Sequence, residues 1–174
     1  MIEKNFIGHT LSAKGERVTR GSNPVSSEVL PGDFINATDE EITDTVSKSA
    51  LAFQTYRTKT GREKAKFLRA IAEEIENLGE VLIERCCAES GLPLLRVKGE
   101  CGRTTSQLRM FADLIEEGSW VEAVIENGDS KRSPIPKPDL RRMLVPLGPV
   151  AVFAASNFPL AFSTAGGLSL IHIS

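Results

Sequence analysis

Residues 143–174 contain no Asp, Glu, Lys or Arg, although those four make up 25% of the whole chain. A charge-free run of this length either crosses a membrane or lies inside a packed core. Its own residues decide between the two. Pro146, Pro149 and Pro159 remove backbone donors, and Asn157 places an amide in the middle of the run. A lipid-facing helix would leave those backbone groups unpaired in hydrocarbon. A buried strand followed by a loop fits the run instead. Gly148 and Pro149 turn the chain into Val150, Ala151, Val152, Phe153, Ala154 and Ala155. That short, continuous apolar run is the pattern of a strand covered on both faces in a parallel sheet. Ser156, Asn157, Phe158 and Pro159 end it, and residues 160–167 open a helix of small residues.

The upstream residues are of a different texture. Four helical segments are expected. Thr38 and Glu41 form a capping box ahead of Ile42, Val46, Ala50 and Phe53. Thr60 and Glu63 form a second box ahead of Ala65, Leu68, Ile71, Ile75 and Leu78. Asn77 and Glu80 open a third segment through Val81, Leu82 and Cys86, which ends near Gly91; a fourth starts at Pro93, buries Val97, Cys101, Leu108, Phe111 and Ile115, and stops at Gly118. Residues 1–37, rich in Gly, Ser, Asn and Pro, read as an extended arm or short edge strands. Residues 120–125 read as one strand and Met143, Leu144 and Val145 as the core of another. The proline-rich loop between them carries Lys131, Arg132, Lys137, Arg141 and Arg142 and reads as a solvated hairpin in preference to an anion site. The division expected is an arm (1–37), a helical part (38–119), a strand pair (120–147), a first sheet strand with its turn (148–167), and a tail (168–174).

Several function classes drop out. A net charge of -2 offers no broad positive field for nucleic acid. The start lacks a basic stretch followed by an apolar run, so a cytoplasmic location is the default expectation. Cys86, Cys87 and Cys101 have neither zinc nor disulfide spacing, and His9 and His172 have no neighbouring ligand set, so no metal site is expected. Open α/β sheets place their sites at the carboxyl ends of strands, where Asn157 stands. From spacing alone, its amide either donates to a developing oxyanion or caps the helix that follows.

The run from Gly148 through Asn157 to Ser163 resembles the aldehyde dehydrogenase superfamily, in which a Gly-Pro-Val strand runs into an Asn-Phe-Pro-Leu turn. Other pieces agree in order: Phe34 to Thr38, Arg62, Glu89 to Pro93, and Leu140 to Leu147. The similarity spans residues 5–167. The wording Ala-Ser-Asn-Phe-Pro-Leu-Ala-Phe-Ser is most similar to the branch that acts on α-ketoglutaric semialdehyde (2,5-dioxovalerate). The resemblance implies an α/β fold of which this chain is the N-terminal part: the helical segment of the cofactor domain, an oligomerisation hairpin at 121–126 and 140–146, and the first Rossmann-like strand. It implies an aldehyde oxidised with NAD or NADP. There a cysteine thiolate adds to the carbonyl, the amide of Asn157 and a backbone N–H hold the oxyanion, and a glutamate-activated water releases the acid. Phe153, Ala154, Ala155 and Ser156 would lie against the cofactor. A homodimer or homotetramer is implied for the complete enzyme.

The family's nucleophilic cysteine and glutamate base match no position here, so the chain alone is expected to be inactive. Beyond Gly167 the sequence leaves the family pattern, as a frameshift or read-through would make it do. The alternative from another class is a noncatalytic helical module that pairs with a partner through the 121–146 hairpin. A membrane-anchored domain using residues 143–173 is a third.

Overall fold

Helices α1 and α2 begin where a side chain satisfies their orphan amides. In the computed structural model, which describes residues 2–165, Thr38 Oγ1 accepts the Glu41 N–H at 3.2 Å and Glu41 accepts the Thr38 N–H at 2.9 Å, opening α1 (Asp39–Tyr56). Thr60 and Glu63 repeat the arrangement at 3.2 and 2.8 Å to open α2 (Gly61–Ser90). The hydrogen bonds from Thr60 hold the Glu63 carboxyl down to about 2. Both boxes stand where the sequence placed them. The expected third segment begins at a break inside α2: Gly79, with φ 54° and ψ -137°, parts it into two helical stretches two residues past Asn77. A φ of that sign suits glycine, which has no Cβ to clash. α3 (Leu94–Glu117) follows Pro93 and ends at Gly118.

The core lies between α2 and α3. Ala65, Leu68, Ala72, Leu108, Ala112 and Ile115 form one buried cluster, backed by Ile71, Ile75 and Phe111. Ile83, Cys86 and Val97 form a second, joined by Cys87, Leu92, Cys101 and Leu160. The helices therefore run antiparallel, and ion pairs edge the seam: Arg109 forks onto Glu76 with both contacts at 2.7 Å, and Arg69 reaches Asp113 at 2.6 Å. α1 differs from expectation. Its stripe of Ile42 and Val46 is exposed, because α1 meets the rest chiefly through the β2 strand near Lys48.

The strands are short. β1 (Ile2–Glu3) pairs parallel with β5 (Asp33–Ile35), which pairs antiparallel with β4 (Val18–Thr19); β2 (Asn5–Ile7) and β3 (Thr10–Ser12) form a hairpin. β6 (Val124–Glu126) and β7 (Leu140–Arg142) form another. The strand expected over 120–125 starts late because Ser119–Val121 closes a 3-10 turn first, with Glu122 at φ 47°. The strand expected at Met143 to Val145 ends at Arg142; just beyond it the Leu144 N–H is held by the Val121 carbonyl at 2.8 Å. Within the hairpin Lys137 pairs with Glu126, Arg141 with Asp139, and Arg132 donates to the Ile135 carbonyl, so the basic loop partly neutralises itself.

The largest correction concerns residues 150–155. They form no strand, and none of residues 150–154 makes a backbone hydrogen bond among the described residues. Phe153 is 93% exposed and Val152 44%. A parallel strand is covered only when neighbours pair with it and helices pack on both faces; among the described residues no strand lies beside it. The helix expected over 160–167 is a single π-turn, Ala161–Ala165, and its last two residues lie outside the described ones, as does the 168–174 tail. Among the described residues no helix is long and apolar enough to cross a membrane.

Candidate active site

α3 carries Arg96, Glu100 and Arg103 at helical spacings of four and three, which brings them onto one face. The turn of residues 156–160 docks against that face. Arg96 Nη2 donates to the Asn157 carbonyl at 3.1 Å, and its guanidinium lies over the Phe158 ring, 5.0 Å from the centroid. Arg103 covers Phe158 and Phe162 at 5.9 and 6.0 Å, and those two rings pack tilted at 4.8 Å. Arginine over an aromatic face is attracted by the ring quadrupole as well as by dispersion. Glu100 Oε1 accepts both the Leu160 N–H, at 2.8 Å, and the Ala161 N–H, at 3.0 Å. Leu160 then drops into the second core cluster.

Asn157 is thus held by its backbone, while its carboxamide is exposed and makes no hydrogen bond among the described residues. The amides it might cap are already taken. Phe158 N–H goes to the Ala155 carbonyl, Pro159 has none, and Leu160 and Ala161 give theirs to Glu100. Of the residues expected near a cofactor, Phe153, Ala154 and Ser156 are exposed and Ala155 is half-buried. They share one extended stretch with Asn157, and no other candidate joins them.

The cysteines lie in the second core cluster, with Leu160 of this turn. Burial, and after it the Glu100 carboxylate, pushes the Cys86 thiol above its ordinary range; burial and Glu76 do the same at Cys101. Thiols shifted upward carry less thiolate and are poorer nucleophiles.

Arg96, Glu100 and Arg103 were not singled out from the sequence. One signal was present. Val97, Glu100, Thr104 and Leu108 recur at helical spacing, so a carboxylate sits in the apolar stripe of α3, where it is only 6% exposed. A charge in a core register requires a partner.

The aldehyde dehydrogenase family profile matches residues 11–167. The chain belongs to that family. This aldehyde dehydrogenase segment is 48% identical, over 164 residues, to the α-ketoglutaric semialdehyde dehydrogenase of Acinetobacter baylyi, covering 94% of this chain and 31% of that protein. It is 53% identical over 116 residues to α-ketoglutaric semialdehyde dehydrogenase 2 of Azospirillum brasilense, covering 67% of this chain and 22% of the relative. The aldehyde dehydrogenase chain thus spans less than a third of the length of these relatives. In fold it matches the betaine aldehyde dehydrogenase of Staphylococcus aureus, solved with NAD+, at a TM-score of 0.80 and 20% identity, over 97% of this chain and 33% of that one.

Proposed function

We propose that these residues belong to an enzyme that oxidises α-ketoglutaric semialdehyde to its carboxylic acid with NAD or NADP, and that Asn157 is its oxyanion donor. The observation that carries this reading is the uncommitted Asn157 carboxamide, exposed on a turn whose backbone is fixed by α3. A preorganised donor needs both properties: a free N–H and a scaffold that does not move when charge develops. The chain's match to two α-ketoglutaric semialdehyde dehydrogenases supports the substrate.

Residues 150–156 fit a dinucleotide. Their backbone groups at 150–154 make no hydrogen bonds among the described residues, and Ala154, Ala155 and Ser156 are small enough for close approach. When bound, NAD(P) accepts the hydride that the aldehyde carbon gives up. This chain's part is to present that backbone and to aim the Asn157 amide at the carbonyl oxygen. Residues 38–119 and 148–167 then serve the cofactor-binding unit. The β6–β7 hairpin, with Ile125 and Leu140 exposed, serves a homodimer or homotetramer. Cys86, Cys87 and Cys101 supply no nucleophile, so the chain alone does not turn over aldehyde.

The test is Asn157→Ala in the full-length protein that carries this chain. Loss of one oxyanion donor lowers kcat by about a hundredfold or more, while cofactor affinity changes by less than about threefold. The isolated chain serves as the blank, with no aldehyde-dependent NADPH or NADH formation. Turnover within about twofold of the parent in Asn157→Ala refutes the role, and turnover by the isolated chain refutes the account of the cysteines.

A further inference from the structure

The stretch that leads into Asn157 does nothing to place it, since residues 150–154 make no backbone hydrogen bonds among the described residues. Its position is set from the other side, by α3. Arg96 holds the Asn157 carbonyl, but its guanidinium is an exposed, long-stemmed group. Glu100 is different. It is only 6% exposed, forms no ion pair among the described residues, and directs one oxygen at two successive amides, Leu160 and Ala161. Its other oxygen, Oε2, is buried with no hydrogen-bond partner.

A buried carboxylate with only two neutral donors is a poor choice for stability alone, because an apolar side chain in the same register would avoid the desolvation cost. As a geometric device it is a good one. A single acceptor shared by consecutive N–H groups fixes the orientation of both peptide planes, and Pro159 beside them has a fixed φ. The chain from Pro159 back to Asn157 is thereby placed, and Leu160 is locked into the core beneath it.

We propose that Glu100 is a positioning residue: by gripping the amides of Leu160 and Ala161 it sets where the Asn157 carboxamide stands. The proposal rests on the oxyanion role given to Asn157 above. Glu100 touches no substrate. It acts through the turn, and its hydrogen-bond acceptor matters more than its charge.

The experiment is a double-mutant cycle in the full-length protein that carries this chain. Glu100→Ala lowers kcat roughly ten- to hundredfold with cofactor KM within about threefold, as expected when a reacting group is displaced by about an ångström. Glu100→Gln keeps an acceptor oxygen and stays within about threefold of the parent, whereas Glu100→Asp keeps the charge, draws the turn inward and loses about tenfold. Glu100→Ala combined with Asn157→Ala is no slower than Asn157→Ala alone, because the positioning has nothing left to position. Should Glu100→Ala fail to fold, the Gln and Asp variants carry the same comparison, each with its melting temperature. Full turnover in both Glu100→Ala and Glu100→Asp, or losses that multiply in the double variant, overturn the link to Asn157. If Asn157→Ala is itself as active as the parent, the oxyanion assignment falls and the positioning proposal with it; a slow Asn157→Ala beside fully active Glu100 variants sinks the positioning proposal alone.

Discussion

Gly61→Ala should destabilise this protein even though alanine is the better helix former. A Cβ built on Gly61 lies 2.4 Å from the Ile115 carbonyl oxygen and 3.3 Å from its carbon, where ordinary contact begins near 3.4 Å. The first turn of α2 therefore packs directly on the backbone at the end of α3. That backbone cannot rotate away as a side chain would, so the two helices must part by about 1 Å at this end. Ala65 and Ile115, in the cluster just inside, lose contact when they do. A gap of that size forfeits roughly a quarter to a half of each dispersion contact. Overpacking of this kind costs about 2 kcal/mol, which for a chain of this length lowers Tm by roughly 4–8 °C. The control is Gly99→Ala in α3, where nothing lies within 4 Å of the added methyl. There helix propensity acts alone and raises stability by about 0.5–1 kcal/mol, or roughly 1–4 °C. Scanning calorimetry of the two variants beside the parent reads both signs. If Gly61→Ala melts at or above the parent temperature, the helices do not approach as closely as the structure has them.

Two further outcomes follow from the same helix pair. Leu108 is fully buried in the larger cluster, so Leu108→Ala should cost about 2–5 kcal/mol in urea unfolding, and a loss under about 1 kcal/mol would mean that the α2–α3 core is not packed as described. The Arg109 hydrogen bonds, chiefly, hold the Glu76 carboxyl down to about 2, from an ordinary 4.5. A depressed carboxylate stabilises the fold above its ordinary pKa and loses that contribution as pH falls through the folded value. The Tm gap between parent and Arg109→Met should therefore be widest above about pH 4.5 and close toward about pH 2. A gap that is constant over that range would show that the pair contributes nothing through ionisation.

What the sequence made legible was the chemistry of local hydrogen bonding. Thr38 with Glu41 and Thr60 with Glu63 announce helix starts because the same two side chains satisfy the same two amides wherever the rest of the chain goes. Apolar spacing found the α2–α3 seam for the same reason, since Leu68, Val97, Leu108 and Ile115 need only each other's helices. The misreadings share an opposite cause. The run at 150–155 has a strand's composition, but a strand is made by its neighbours, and composition does not supply them. Ile42 and Val46 have a buried face's spacing and no surface packed over them. At the site, Asn157 was visible as a polar residue ending an apolar run. Its supports were not, because Arg96, Glu100 and Arg103 lie about sixty positions away and meet the turn only through the fold.

The docking of Leu160 beneath α3 makes the helical hairpin the reference frame for the turn above it. Two structural modules with separate tolerances result. Changes that alter how residues 150–154 find their neighbours leave the amide grip at 160 and 161 intact, and changes in α3 shift the turn whatever lies beside the apolar run. An engineer could therefore alter the run by itself, and would move the turn at Asn157 through Arg96, Glu100 and Arg103, more than fifty positions upstream in sequence.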